Sequence, residues 1–290
     1  MLAIVLASLL WGTTGTAASF LPPSVPPVAT GAATMGIGGA LLFAVSARRA
    51  TAVLRDRGAR RWLLLGGAGV VAYPLAFYSS MEFAGVAVGN VVSLGSAPVF
   101  AAVLKYAVDR RPLSRRWLVA TVLAVAGVAV LGFAGDEART DPELAPAGVA
   151  LGLVAGFSYA LYTCASGHVL RRGHGSNAVM GAVFGLGSVP LLVVLLVVGA
   201  PLLASPESVG VVAYLALGPM FAAYLLFGRG LRTIDARTAT TLTLLEPVVA
   251  TVLAVGVVQE RLPLLGWAGL AAILAGVAVL ALRRAPRRST

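Results

Sequence analysis

The sequence predicts an all-α integral membrane protein: ten transmembrane helices built as two inverted five-helix repeats, with both termini cytoplasmic. Three observations carry this: apolar runs of membrane-spanning length, an internal repeat, and basic residues confined to alternate loops. Hydrophobic residues make up 59% of the 290-residue chain and charged residues 11%, against roughly 25% charged in ordinary soluble domains. The apolar residues fall in runs of about 20, the length a helix needs to cross ~30 Å of hydrocarbon. Ten spans follow, at about 2–20, 28–47, 62–81, 84–105, 116–134, 146–167, 177–199, 209–228, 236–258 and 263–282. They use most of the chain and leave short loops with no soluble domain.

Residues 98–131 and 247–280 align without a gap at an offset of 149, with 13 identities in 34 positions. Pro98-Val99 matches Pro247-Val248, and Gly127-Val128-Ala129-Val130-Leu131 matches Gly276-Val277-Ala278-Val279-Leu280. Long-period repeats in apolar chains are a signature of transporters. Spans 4 and 5 therefore pair with spans 9 and 10. By extension, residues 1–134 form a first five-helix repeat and 146–282 a second. An extracytoplasmic linker, 135–145, joins them, and a basic tail, 283–290, ends the chain. An odd number of spans per copy makes equivalent helices run in opposite directions through the membrane.

The net charge of +11 is a topology signal. If the spans alternate, twenty of the 22 basic residues lie on one side, among them Arg48, Arg49, Arg55, Arg57, Arg60, Arg61, Arg171, Arg172 and Arg237. Asp136, Glu137, Asp141, Glu143 and Glu207 collect on the other side. Positive residues stay inside, which puts both termini in the cytoplasm and argues against nucleic-acid binding. Residues 2–20 lack the basic n-region of a signal peptide, and removing them would break the repeat. Cys164 is the only cysteine, so no intramolecular disulfide or cysteine-rich metal site can form.

Glu246 is the outlier, roughly ten residues into span 9 in the run Thr240-Thr241-Leu242-Thr243-Leu244-Leu245-Glu246-Pro247. That depth is about 15 Å, near the bilayer midplane. A carboxylate there is expensive in its charged form and marks a substrate or proton path. The competing role is a packing bond to a neighbouring helix. Pro247 donates no backbone hydrogen bond and disrupts the helix. Thr240, Thr243 and Glu246 recur every three residues on one face. Span 4 offers Asn90, Ser93 and Ser96 at the same spacing before Pro98, while the repeat partner of Glu246 is Ala97. Hydroxyls in membrane helices also bond their own backbone. Trp11, Tyr78, Tyr159 and Tyr224 either belong to a lipid-interface belt or line a cavity suited to an amphipathic solute or a cation. His168 and His174, beside Arg171 and Arg172, are expected to be solvated loop residues. No phosphate loop, metal motif or cofactor signature is present.

The chain resembles the ten-helix EamA-type members of the drug/metabolite transporter superfamily. The resemblance rests on Leu10-Trp11-Gly12, Ser96-Ala97-Pro98-Val99-Phe100 and Leu245-Glu246-Pro247-Val248, with Gln259-Glu260-Arg261-Leu262 followed by Gly269 and Gly276. It implies an inverted bundle with a cavity lined chiefly by spans 1, 3, 4, 6, 8 and 9. It also implies export of amino acids, related metabolites or toxic compounds, driven by proton or potential gradients. Arg111 stands where the second copy has Glu260, so that turn has no symmetric role.

The expectation is thus a secondary transporter of the inner membrane, working by alternating access on a small organic solute, with no cofactor or metal. Trp11, Tyr78, Asn90, Ser93, Tyr159, Tyr224, Thr240, Thr243 and Glu246 are the expected substrate contacts. Glu246 is the expected proton-coupling group, and Pro98 and Pro247 the expected hinges. The partners are the solute, the bilayer and, as an assembly, a homodimer. A polytopic membrane enzyme acting on lipid-linked phosphates and a passive channel remain the alternatives.

Overall fold

A computed structural model describes residues 1–84, 86–110, 113–133, 143–258 and 263–281. Among these the helices are α1 (Leu2–Ala18), α2 (Pro27–Arg55), α3 (Arg60–Ala84), α4 (Val86–Asp109), α5 (Arg115–Phe133), α6 (Ala145–Arg171), α7 (Ser176–Val198), α8 (Pro206–Gly230), α9 (Ala236–Val257) and α10 (Leu264–Ala281). Among the described residues α2, α3, α4, α6, α7, α8 and α9 contain stretches long and apolar enough to cross a membrane, while α1 and α10 are shorter apolar helices. The expected linker falls largely, and the expected basic tail wholly, outside the described residues, as do Arg111 and Glu260.

Helix α2 runs well past the expected end at residue 47. Ala50 and Val53 are buried in the core, and this packing carries the helix on to Arg55. Arg48, Arg49 and Arg55 are therefore helical rather than in a loop.

Small residues set the packing, because helix backbones in lipid approach closely only where side chains are short. The repeat is visible at the α5–α10 crossing. A Cβ on Gly127 would fall 2.6 Å from the Gly269 carbonyl and 2.7 Å from the Ile273 amide. One on Gly276 would fall 2.5 Å from the Ala120 carbonyl and 2.8 Å from the Ala124 amide. Shifting 127, 120 and 124 by the sequence offset gives 276, 269 and 273, so the two sets of contacts are images of each other. Residue numbers fall along one helix as they rise along the other, so these equivalent helices run antiparallel. At the α2–α7 crossing, Gly39 likewise faces Phe184 and Ser188, while Gly181 faces Leu42 and Ser46. At both crossings the paired helices run in opposite directions.

Candidate functional site

Glu246 sits where α9 changes its winding. The helix runs Ala236–Leu242, tightens into a 3-10 turn at Thr243–Leu245 and resumes at Glu246–Leu253. Pro247 has no N–H for the Thr243 carbonyl, which instead accepts from the Glu246 amide in the tightened turn. The Thr243 carbonyl is thereby occupied. Gly12 of α1 lies against this turn, where a Cβ would fall 3.0 Å from the Glu246 carbonyl. That close approach explains a glycine directly after Trp11.

A cavity opens beside Glu246. Its walls are Trp11 and Thr14 of α1, Gly31, Thr34 and Met35 of α2, and Tyr73, Pro74, Phe77 and Tyr78 of α3. Tyr159 and Tyr162 of α6, Pro219, Met220 and Tyr224 of α8, and Glu246 complete it. These positions lie midway along the helices and in the half of the bundle away from the Arg55–Arg61 loop. Around Pro219 the helix widens into a π-helical segment, Ala216–Ala222, a distortion frequent at functional sites.

Aromatic rings close the cavity toward the arginine-bearing loops. Trp11 lies 4.9 Å from Tyr224 and 5.3 Å from Phe227, centroid to centroid, and Tyr224 lies 4.3 Å from Phe184. The hydroxyls of Tyr162 and Tyr224 share a 2.7 Å hydrogen bond. Tyr159 donates to Thr243 Oγ1 at 2.9 Å, and its ring lies 5.6 Å from Tyr73. Glu246 is partly exposed to the cavity and makes no hydrogen bond or ion pair with any described residue.

Trp11, Tyr78, Tyr159, Tyr224 and Glu246 thus come together around one cavity. The other expected contacts lie elsewhere. Thr240 donates to the carbonyls of Ala236 and Arg237, both at 3.0 Å, the backbone role open to any helical hydroxyl. Thr243 acts through Tyr159 rather than lining the cavity. Asn90 and Ser93 are drawn away because Gly152 and Gly156 let α6 press against α4. A Cβ on Gly156 would fall 2.7 Å from the Ser93 carbonyl. The Asn90 and Ser93 side-chain oxygens are buried there without partners. Hence α2, not α4, completes the wall. Pro98 is accommodated inside a continuous α4, whereas its counterpart Pro247 follows the 3-10 turn.

Sequence reasoning missed Tyr73, Phe77, Thr34 and Met220. The spacing of Tyr73 and Phe77 on one helical face, beside the mid-span Pro74, was the available signal.

At the opposite end the loops are tied together. Asp56 accepts from Gly58 N at 2.8 Å, contacts His174 Nε2 at 2.8 Å and pairs with Arg172 Nε at 3.4 Å. The His174 bond holds the Asp56 carboxyl below its usual range, against an opposing desolvation, with Gly58 and Arg172 adding to the effect. His168 stacks on Trp62 at 4.2 Å. Neither histidine is the free solvated loop residue expected. Among the described residues no group of three or more His, Cys, Asp or Glu side chains could hold a metal ion.

The EamA-like transporter family matches residues 1–133 and 146–282. The chain belongs to the EamA-like transporter family. This EamA-like protein is 33% identical over 290 residues to the uncharacterized transporter YwfM of Bacillus subtilis (strain 168), covering 98% of its own length and 94% of the relative's. A crystal structure with 24% identity superposes with a TM-score of 0.79 over 96% of this chain and 94% of the other, a likeness of fold. The chain is a multi-pass membrane transporter of two-repeat architecture.

Proposed function

We propose that this EamA-like protein is a secondary active transporter that exports a small organic solute across the inner membrane by alternating access, coupled to protons or membrane potential. Ten spans, inverted about an axis in the membrane plane, carry both termini in the cytoplasm, and a homodimer is the assembly to test. Amino acids and related metabolites are the solute class the family resemblance implies. The observation that carries the reading is Glu246: a membrane-depth carboxylate, unpaired, in the wall of an aromatic cavity. Groups of this kind serve as counter-ions or proton carriers. The antiparallel repeat supports rocking of one half against the other around that site. A passive channel is the alternative, and the Tyr162–Tyr224 pair beside the cavity is the barrier it would have to open.

The test is flux in proteoliposomes loaded with a mixture of amino acids, amines and small metabolites under an imposed pH gradient, with wild type and Glu246→Gln side by side. Gradient-driven movement of a solute by wild type alone supports the assignment. Equal flux through both proteins makes Glu246 a packing residue.

A further inference from the structure

We infer that the cavity selects organic cations, amines or quaternary ammonium ions on an aromatic or apolar body, over zwitterionic amino acids and organic anions. The inference rests on the transporter reading above and narrows its substrate class.

Charge is the first argument. Among the described residues Glu246 is the only carboxylic acid in the cavity wall, and no lysine, arginine or histidine lines it. A solute carboxylate entering here would lose its water, meet the Glu246 carboxyl and find no cation in exchange, an arrangement burial strongly disfavours. An ammonium group gains the counter-ion that Glu246 lacks.

Hydrogen-bonding capacity points the same way. Tyr162 and Tyr224 share one hydrogen bond that uses one of their two hydroxyl protons, Tyr159 donates to Thr243, and Thr34 donates to the Thr30 carbonyl at 2.7 Å. The donors that remain in the wall, on Trp11, Thr14, Tyr73 and Tyr78, are all neutral, so none supplies the positive charge a desolvated carboxylate needs. What the wall does offer is ring faces. Trp11, Tyr73, Phe77 and Tyr78 join Tyr159 and Tyr224 around the acid, and such faces attract cations most strongly where water is excluded.

The test uses three probes that share one phenyl body: benzyltrimethylammonium, L-phenylalanine and 3-phenylpropionate. Binding to the full chain in lipid nanodiscs is read by titration calorimetry, without need of transport. The cation is expected to bind about tenfold or more tighter than phenylalanine, the ratio a single ion pair with ring contacts supplies. Phenylpropionate is expected not to bind. Glu246→Gln should abolish the preference for the cation. The wild-type ranking stands on its own if that variant does not fold. Phenylalanine or phenylpropionate binding as tightly as the cation overturns the inference, and so does binding of none of the three. A cation bound with this preference but moved by no gradient in proteoliposomes would leave the inference standing and overturn the transporter reading. Gradient-driven flux of phenylalanine with the cation ignored would do the reverse.

Discussion

The hydroxyl of Tyr159 donates to Thr243 Oγ1 at 2.9 Å, tying α6 to the tightened turn immediately before Glu246. Thr243 in turn donates to the Thr240 carbonyl at 2.9 Å, so one polar chain fixes both a cavity ring and the carboxylate beside it. Tyr159→Phe keeps the ring and removes only the link. A net hydrogen bond is worth about 1 kcal/mol, so apparent solute affinity should fall roughly fivefold. Thr243→Val should cost at least as much, since it also loses the bond to the Thr240 carbonyl, and the double variant should cost no more than Thr243→Val alone. Additive losses in the transport kinetics would show that the two side chains act independently.

Asp56 and His174 join the α2–α3 loop to the α6–α7 loop at 2.8 Å, and Arg172 adds a second contact. The folded-state pKa of Asp56 lies below its ordinary value of 3.8. Stability from this carboxylate is therefore complete above that value and lost as pH falls through the lower, folded one. The prediction is a gap in melting temperature between wild type and Asp56→Asn that stays constant through the neutral range and closes only under strong acid. A gap closing near neutrality would mean that another group controls the tie.

The Gly127–Gly269 contact leaves no room for a side chain, since a Cβ on Gly269 would fall 2.8 Å from the Gly127 carbonyl. Gly269→Leu should destabilise by about 1–3 kcal/mol through overpacking, or disrupt the α5–α10 pair altogether. Gly210 in α8 is the comparison, because no neighbour lies within 4 Å of its Cβ position. Gly210→Ala should instead stabilise by about 0.5–1 kcal/mol from helix propensity. Thermal melts of the two variants in one detergent separate close packing from a general tolerance of glycine replacement.

Much of this was legible in sequence because single-residue properties dominate in lipid. An apolar run of about 20 residues has few alternatives to a helix, and the repeat offset reappears as mirrored contacts at Gly127 and Gly276. Glu246 stood out because a carboxylate in such a run is costly wherever it points. Asn90 and Ser93 were placed wrongly in the cavity for a tertiary reason. Whether they face it depends on Gly152 and Gly156, some sixty residues away on α6. The same holds for Tyr73 and Tyr162, whose rings count only because α3, α6 and α8 converge. Periodicity identifies a helix face, and only packing decides what that face meets.

Thr163 and Ser166 record the state in which the structure stands. Both lie on α6 toward the arginine-bearing end, 0% and 1% exposed, and neither hydroxyl has a hydrogen-bond partner. They follow Tyr159 along one helical face, the line a solute would take from the cavity to that end. A buried orphan hydroxyl costs about 1–3 kcal/mol, so the closed arrangement carries a penalty that hydration would remove. On the alternating-access reading proposed above, a state open toward the arginine end is expected to hydrate these two hydroxyls. Cys164, the sole cysteine, can be replaced to give a clean background for thiol probes. In that background Thr34→Cys should react with a membrane-impermeant maleimide added from the open side of the cavity. Thr163→Cys and Ser166→Cys should react only from the arginine side, and faster when solute drives turnover. Thr163→Val, which relieves the penalty without opening the path, should slow labelling at Ser166→Cys. Labelling of position 166 that ignores both solute and Thr163→Val would place these hydroxyls outside the transport path.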